Sequence, residues 1–299
     1  MKNNKGFISI SVVYSFFMVF LILLLFIVNN LVNNRLLLNT IKDEIKENIS
    51  DTTFSRYLIN HAEEIGLTHH NSSLTNGAAD NSYRFTGANP NNYVCFGSEA
   101  NPCPSTNLYR IIGVIDSRIK LVHNSGITSR QIDNTDTNYY VNTAIYNYLN
   151  NDFLNTLSAY STFIADSTWY IGGVSSTSIS DNIKTIYENE VGINRNNSVR
   201  IEEKIGMIYV SDYAYATTPE NYGSTITSAN NWLNMSQNYW TNSRVNTTNN
   251  QFFYINTSGN LAISDVSNTY VIRPSFYLNS TVMLSSGDGT INSPYRIEV

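Results

Sequence analysis

Between Phe7 and Val28 the chain carries no charged side chain, and its polar groups there are three serines and one tyrosine. At 1.5 Å per residue a helix over this stretch spans roughly 33 Å, enough for a hydrocarbon layer of about 30 Å. A buried core helix of that length keeps a polar stripe. A cleaved secretory signal has a shorter apolar region that ends in a small-residue site, whereas Asn29, Asn30, Leu31, Val32, Asn33 and Asn34 follow here. The first 30 residues therefore read as a retained single-pass membrane segment that meets lipid through residues 7–28. Lys2 and Lys5 precede the span and Arg35 is the next basic residue. That asymmetry predicts a cytoplasmic N-terminus at the cell membrane, with the bulk of the chain extracellular.

The flank "KGF" at 5–7 resembles the processing site of type IV prepilins and pseudopilins. The resemblance implies cleavage between Gly6 and Phe7 and pilin-like subunits as partners. Ser11 stands where that family carries a glutamate that pairs with a neighbouring subunit's amine. A minor pilin or pseudopilin-like subunit fits this departure better than a major one. A plain anchor is the other reading, and both stay open on the sequence.

Beyond the span, Leu38, Ile41, Ile45 and Ile49 recur at helical spacing, with Lys42, Asp43, Glu44, Lys46 and Glu47 between them. Phe54, Tyr57, Leu58 and Ile65 extend the pattern to Gly66, which predicts an amphipathic stalk helix over 31–66. Residues 67–92 are rich in Asn, Ser, Gly and Thr, and read as a polar linker with too little apolar surface to order itself. His69 and His70 have only Asp80 near them in sequence. They read as a solvated loop, with no metal and no cofactor expected anywhere in the chain.

Residues 93–299 then form one extracellular globular domain. Charged residues make up 14% of the chain and the net charge is −5, against about 25% charged in an ordinary protein. No basic footprint exists for nucleic acid. Neutral amides and aromatic rings instead suit sugars, whose apolar faces stack on rings. Cys95 and Cys103, the only two cysteines, lack further ligands at zinc-like spacing and do not form C-x-x-C. They read as a structural disulfide, which an oxidising compartment permits.

Apolar runs flank Asp116-Ser117 and predict a hairpin of 110–115 with 119–123; a second hairpin turns at 257–260. Val141, Ile145, Leu149, Phe153 or Leu154, and Leu157 predict a helix. Residues 205–216 read as a strand entering a turn, and 270–284 as a strand in which Pro274 avoids a central ladder position. The fold class expected is α+β: a long N-terminal transmembrane and stalk helix, then a domain of antiparallel hairpins with a few helices.

The ordered blocks "LYRIIGVID", "YLNNDFLNTL", "IGMIYVSDYAYAT", "NNWLN", "YWTNSRV", "FFYINTSGNLAISDV" and "YVIRPSFYLNSTVMLSSGDGTINSPYRI" resemble a domain of unknown function of Firmicutes-like bacterial surface proteins, over about 91–299. Members of that family often follow a prepilin-like N-terminus. The block order is also similar to C-type-lectin-like and formylglycine-generating-enzyme-like domains. Cys95 and Cys103 lie at the opposite end from the latter's copper cysteines, so that activity does not carry over. Asp116, Asp152, Glu202, Glu203, Asp212 and Asp288 are scattered through turns and helix ends, and no enzyme is expected. The function expected is ligand binding at the cell surface, to a glycan or a partner protein, with a pilin-like structural subunit as the alternative. Trp232, Tyr239, Trp240, Asn242 and Arg244 are the candidate ligand-binding residues, because rings and amides cluster there.

Overall fold

The computed structural model describes residues 10–50, 52–135, 139–141, 143–172, 174–192, 198–226 and 228–299. Gly6 and Phe7, the expected processing site, lie outside the described residues, as do Lys2 and Lys5. The chain divides into two compact units, Met1–Asp51 and Thr52–Val299.

In the first unit, α1 (Ile10–Ser50) is a continuous helix of 41 residues. Its stretch Val12–Arg35 has a mean hydropathy of 2.7 and is long and apolar enough to cross a membrane. Side chains on every face of that stretch are exposed, including Phe16, Phe20, Leu25 and Phe26.

The predicted stalk does not run unbroken to Gly66. A separate helix, α2 (Phe54–Asn60), starts in the second unit. Phe54 and Leu58 are fully buried, and the Phe54 ring meets Tyr295 edge-on at 5.2 Å. Two large apolar side chains at four-residue spacing thus serve the globular core instead of a stalk.

Segment 67–92 also departs from expectation. It carries β1 (Leu67–His69) and β2 (Tyr83–Phe85), paired antiparallel. His70, Ser82, Arg84 and Asn92 within it are buried. The composition predicts too little apolar surface for the segment to order itself, but each of these polar groups finds hydrogen-bond partners, which removes the penalty of burying it.

The remaining elements follow in order: β3 (Tyr93–Cys95), β4 (Leu108–Ile115), β5 (Arg118–His123), β6 (Thr128–Arg130), α3 (Ala144–Asn147), α4 (Leu154–Thr156), β7 (Ser167–Gly172), α5 (Ile183–Glu190), β8 (Ser198–Glu203), β9 (Ile205–Met207), α6 (Val210–Ala214), β10 (Tyr239–Arg244), β11 (Gln251–Ile255), β12 (Leu261–Asp265), β13 (Tyr270–Ile272), β14 (Pro274–Tyr277), β15 (Leu284–Ser286) and β16 (Tyr295–Ile297). Among the described residues, one sheet runs β15-β16-β3-β4-β5-β14-β9, with β2 and β1 branching from β4. A second runs β12-β11-β10-β13-β6, and β7 pairs with β8. The α+β class expected from the sequence is the one observed.

Both predicted hairpins form. Asp116 and Ser117 take φ of 50° and 61° between β4 and β5, the two left-handed positions of a tight turn that matches strand twist. The predicted helix is present as α3 and α4, joined through a π-helical turn at Tyr148–Phe153. Ile145, Leu149, Phe153 and Leu157, spaced by four throughout, are all buried. A strict four-residue spacing drifts around a 3.6-residue helix, and the wider turn brings the later residues back to the core face. Pro274, expected away from a central ladder, instead opens the interior strand β14 opposite Met207 of β9; at the first position of the strand its lack of an N–H is tolerated. The disulfide Cys95–Cys103 forms, with Cα atoms 5.8 Å apart.

Candidate functional site

The five residues expected to bind ligand lie along and beside β10, and they are not a surface. Trp232, Tyr239, Trp240 and Asn242 are all buried, with Trp240 at 0% exposure. Trp232 donates its indole N–H to the Phe85 carbonyl at 2.8 Å, and Trp240 donates to Arg130 O at 2.9 Å. Tyr239 donates its hydroxyl to Leu233 O at 2.9 Å. Arg244 is half-buried against Gly172, where a Cβ would sit 2.6 Å from its Nε. β10 is an interior strand between β11 and β13, and its successive residues Tyr239 to Ser243, which alternate between its two faces, are all buried. His70, expected in solvent, is likewise fully buried against Tyr215 and Tyr222.

Polar side chains instead converge on the far side of the β4–β5 hairpin. Lys120, in the middle of β5, is 1% exposed. Its Nζ lies 2.6 Å from Asp212 Oδ2 and 4.4 to 5.2 Å from the rings of Tyr209, Trp169 and Tyr277. An ammonium taken out of water needs such compensation, from a carboxylate and from ring faces. Asp212 itself sits on α6, where it also accepts the Tyr209 N–H at 2.8 Å. The next N–H groups of this short helix, from Val210 and Ser211, go to Glu190 at 3.0 and 2.8 Å. Ser243 donates its hydroxyl to the same carboxylate. Burial pushes the Glu190 carboxyl up to about 7, with the charge of Asp212 adding to the effect and the donated hydrogen bonds opposing it.

Arg84 of β2 enters this network from outside. Its Nη1 reaches Asp212 Oδ1 at 3.4 Å, Nη2 reaches Asp80 at 2.9 Å, and Nε donates to Ser82 Oγ at 2.9 Å. Burial works against the guanidinium charge, but Asp80 and Asp212 overcome it and hold Arg84 protonated above its usual range. Asp80 is half-buried; burial pushes its carboxyl up, but Arg84 and the hydrogen bonds from Ser82 outweigh that and hold it well below the usual carboxylate range. A chain of alternating charge results: Asp80, Arg84, Asp212, Lys120.

This chain floors an open cleft of about 240 Å³. Asp116 and Arg118 of the hairpin stand at its rim, with Tyr170, Tyr187, Tyr209 and Tyr277 among its walls. Asp116 is exposed. Arg118 uses Nη1 on Asp166 O and Ser167 Oγ, and its guanidinium lies 4.9 Å over the Tyr277 ring. Such a wall offers a ligand ring faces, one carboxylate and one guanidinium edge. Among the described residues no group of three or more His, Cys, Asp or Glu is arranged to hold a metal ion.

Sequence reasoning saw Asp116 and Asp212 only as scattered acids. The legible signal was Lys120 inside the apolar strand "IKLVH", since a lysine at a buried strand position is kept by a partner.

A family model described as Domain of unknown function (DUF6273) matches residues 116–280, more than half of the chain. No curated protein and no solved structure matches it.

Proposed function

This chain belongs to the DUF6273 family, whose description assigns no activity, and from that premise we propose that it is a membrane-anchored bacterial cell-surface protein whose globular unit binds a glycan without catalysing a reaction. The cleft above the Asp80–Arg84–Asp212–Lys120 chain carries this reading. Its deep charges neutralise one another, so it favours an uncharged ligand. Asp116 and Arg118 at the rim supply an acceptor and donors for neighbouring hydroxyls, and the tyrosine rings supply faces for a sugar's apolar side. Asp80 and Asp212 are tied to cations, and Glu190 is enclosed by Ser211 and Ser243. None of these carboxylates stands ready to exchange a proton with a ligand. The apolar stretch Val12–Arg35 supports the anchor; Lys2 and Lys5 support a cytoplasmic N-terminus; the disulfide suits the oxidising outer face.

Full-length protein in detergent micelles, applied to arrays of neutral and charged oligosaccharides, tests this function. Saturable binding to neutral sugars is expected, lost in an Asp116→Asn/Arg118→Ala variant that still unfolds cooperatively. Binding that survives the double variant, or saturates on none of the sugars, sinks the reading.

One observation favours a second function, that of a minor pilin-like subunit: α1 continues without a break from its apolar stretch to Ser50, as a filament spine would. The N-terminal residue of protein isolated from its own membranes separates the two. A chain starting at Phe7 makes it a filament subunit, and one starting at Met1 leaves an anchor.

A further inference from the structure

Arg84 belongs to a segment that precedes the family-matched residues 116–280, yet its charged end lies among residues inside them. Its guanidinium lies 5.8 Å from the ring centroid of Tyr187 and 5.5 Å from that of Tyr215, and it meets the Asp212 carboxylate. A carboxylate with two flanking ring faces is the arrangement that recognises a planar, weakly hydrated cation. The backbone beneath is shaped for the same visitor. β2 pairs antiparallel with β4 through Tyr83 with Val114 and Arg84 with Gly113. At Gly113 a Cβ would lie 2.2 Å from Tyr83 O and 3.0 Å from the Arg84 Cα. A glycine at that position of β4 is what lets the incoming strand approach.

We propose that Asp212, Tyr187 and Tyr215 form a guanidinium-recognition slot, and that β2 is a tethered strand whose Arg84 fills it in cis. Strand addition supplies the main-chain register and the slot supplies the side-chain selection, the division of labour found where extended peptides dock on sheets. The chemistry the slot takes is therefore an arginine side chain on an extended strand, and this chain provides its own. Any arginine-bearing partner strand has first to displace β2, which makes the segment 67–92 an internal competitor. The inference does not depend on the sugar-binding function, because its test contains no sugar.

Replacing Arg84→Ala in the full-length protein deletes the atoms of ethylguanidinium and opens the slot to the adjoining cleft. The probe is ethylguanidinium chloride at millimolar concentration, with ethylammonium chloride at equal concentration as the control and Tm as the readout. At about ten times its dissociation constant, the guanidinium should raise the variant's Tm by about 3 °C. The wild type should not move, and ethylammonium should do less in the variant. Equal shifts with both cations, or no shift, overturn the slot. Should Arg84→Ala not fold, refolding yield is read with each cation: recovery with ethylguanidinium alone supports the proposal, and equal recovery or none overturns it.

Discussion

Two aromatic-rich regions of the globular unit invite comparison. Around β10, Tyr239, Trp240, Tyr254 and Tyr270 gather, with the Arg273 guanidinium 5.2 Å from the Tyr239 ring, and the tryptophan is wholly enclosed. Around α6, Tyr187, Tyr209 and Tyr277 surround Lys120, Arg84, Asp80 and Asp212, and the assembly opens into a cleft. The first region lies within residues 239–270 on three neighbouring strands, and the second is gathered from residues 80 to 277. Rings that follow one another along a strand are divided between its two faces, and in β10 both Tyr239 and Trp240 are wholly buried. The rings around α6 stand instead beside charged side chains and line an open space. Sequence clustering of aromatic residues therefore marks packing here, and the cleft lies where charges break the apolar pattern.

The comparison can be broken most forcefully at Trp240. Trp240→Ala is expected to lower the unfolding free energy by about 3–5 kcal/mol, the usual cost of emptying a large core site. Denaturant titration measures it, and a loss under 1 kcal/mol would show that this region is less enclosed than described. In the second region Lys120→Met should cost about 3 kcal/mol, because Asp212 loses one of its two cationic partners while staying buried. If the variant proves as stable as wild type, the charge chain is not what holds α6 in place.

Next in size is a pH effect confined to the charged region. The Glu190 carboxyl is pushed up to about 7 from its usual 4.5, so the folded protein keeps a proton that the unfolded chain has released. The stability this provides is complete below about pH 4.5 and is lost as pH rises through about 7, by about 3 kcal/mol on the linkage relation. Burial, with Arg84 adding to it, lowers His70 from 6.5 to about 3, which acts with the opposite sign. Stability from its neutral ring is present above about pH 6.5 and is lost as pH falls to about 3. Between 4.5 and 6.5 the two slopes oppose each other. Unfolding curves from pH 6.5 to 8 should therefore fall for wild type and stay flat for Glu190→Gln. Parallel slopes would remove Glu190 as the cause.

The smallest stability effect is expected at the rim. Asp116→Asn, which keeps a residue that tolerates the left-handed turn position, should change stability by no more than about 0.5 kcal/mol, while weakening sugar binding on the array. A large destabilisation would make Asp116 a turn residue first.

Much of the architecture was legible. Alternation and turn residues placed the β4–β5 and β11–β12 hairpins, and four-residue spacing placed the helix at 144–156. The stalk and the linker were misread for one reason: local composition does not report distant partners. Phe54 and Leu58 look like one face of a free helix until Tyr295 and Val282 are brought beside them. Asp80 and Arg84 look solvated until Tyr187 and Asp212 close over them.

What the sequence determined by itself is whatever depends on neighbours along the chain. It set the apolar helix, the disulfide between two cysteines eight positions apart, the hairpin turns and the α+β class. Only the tertiary structure decided which polar residues are buried and which rings face a cleft. Those properties depend on burial and on charge partners up to 128 positions apart, as between Arg84 and Asp212, and no local pattern encodes a pairing at that range.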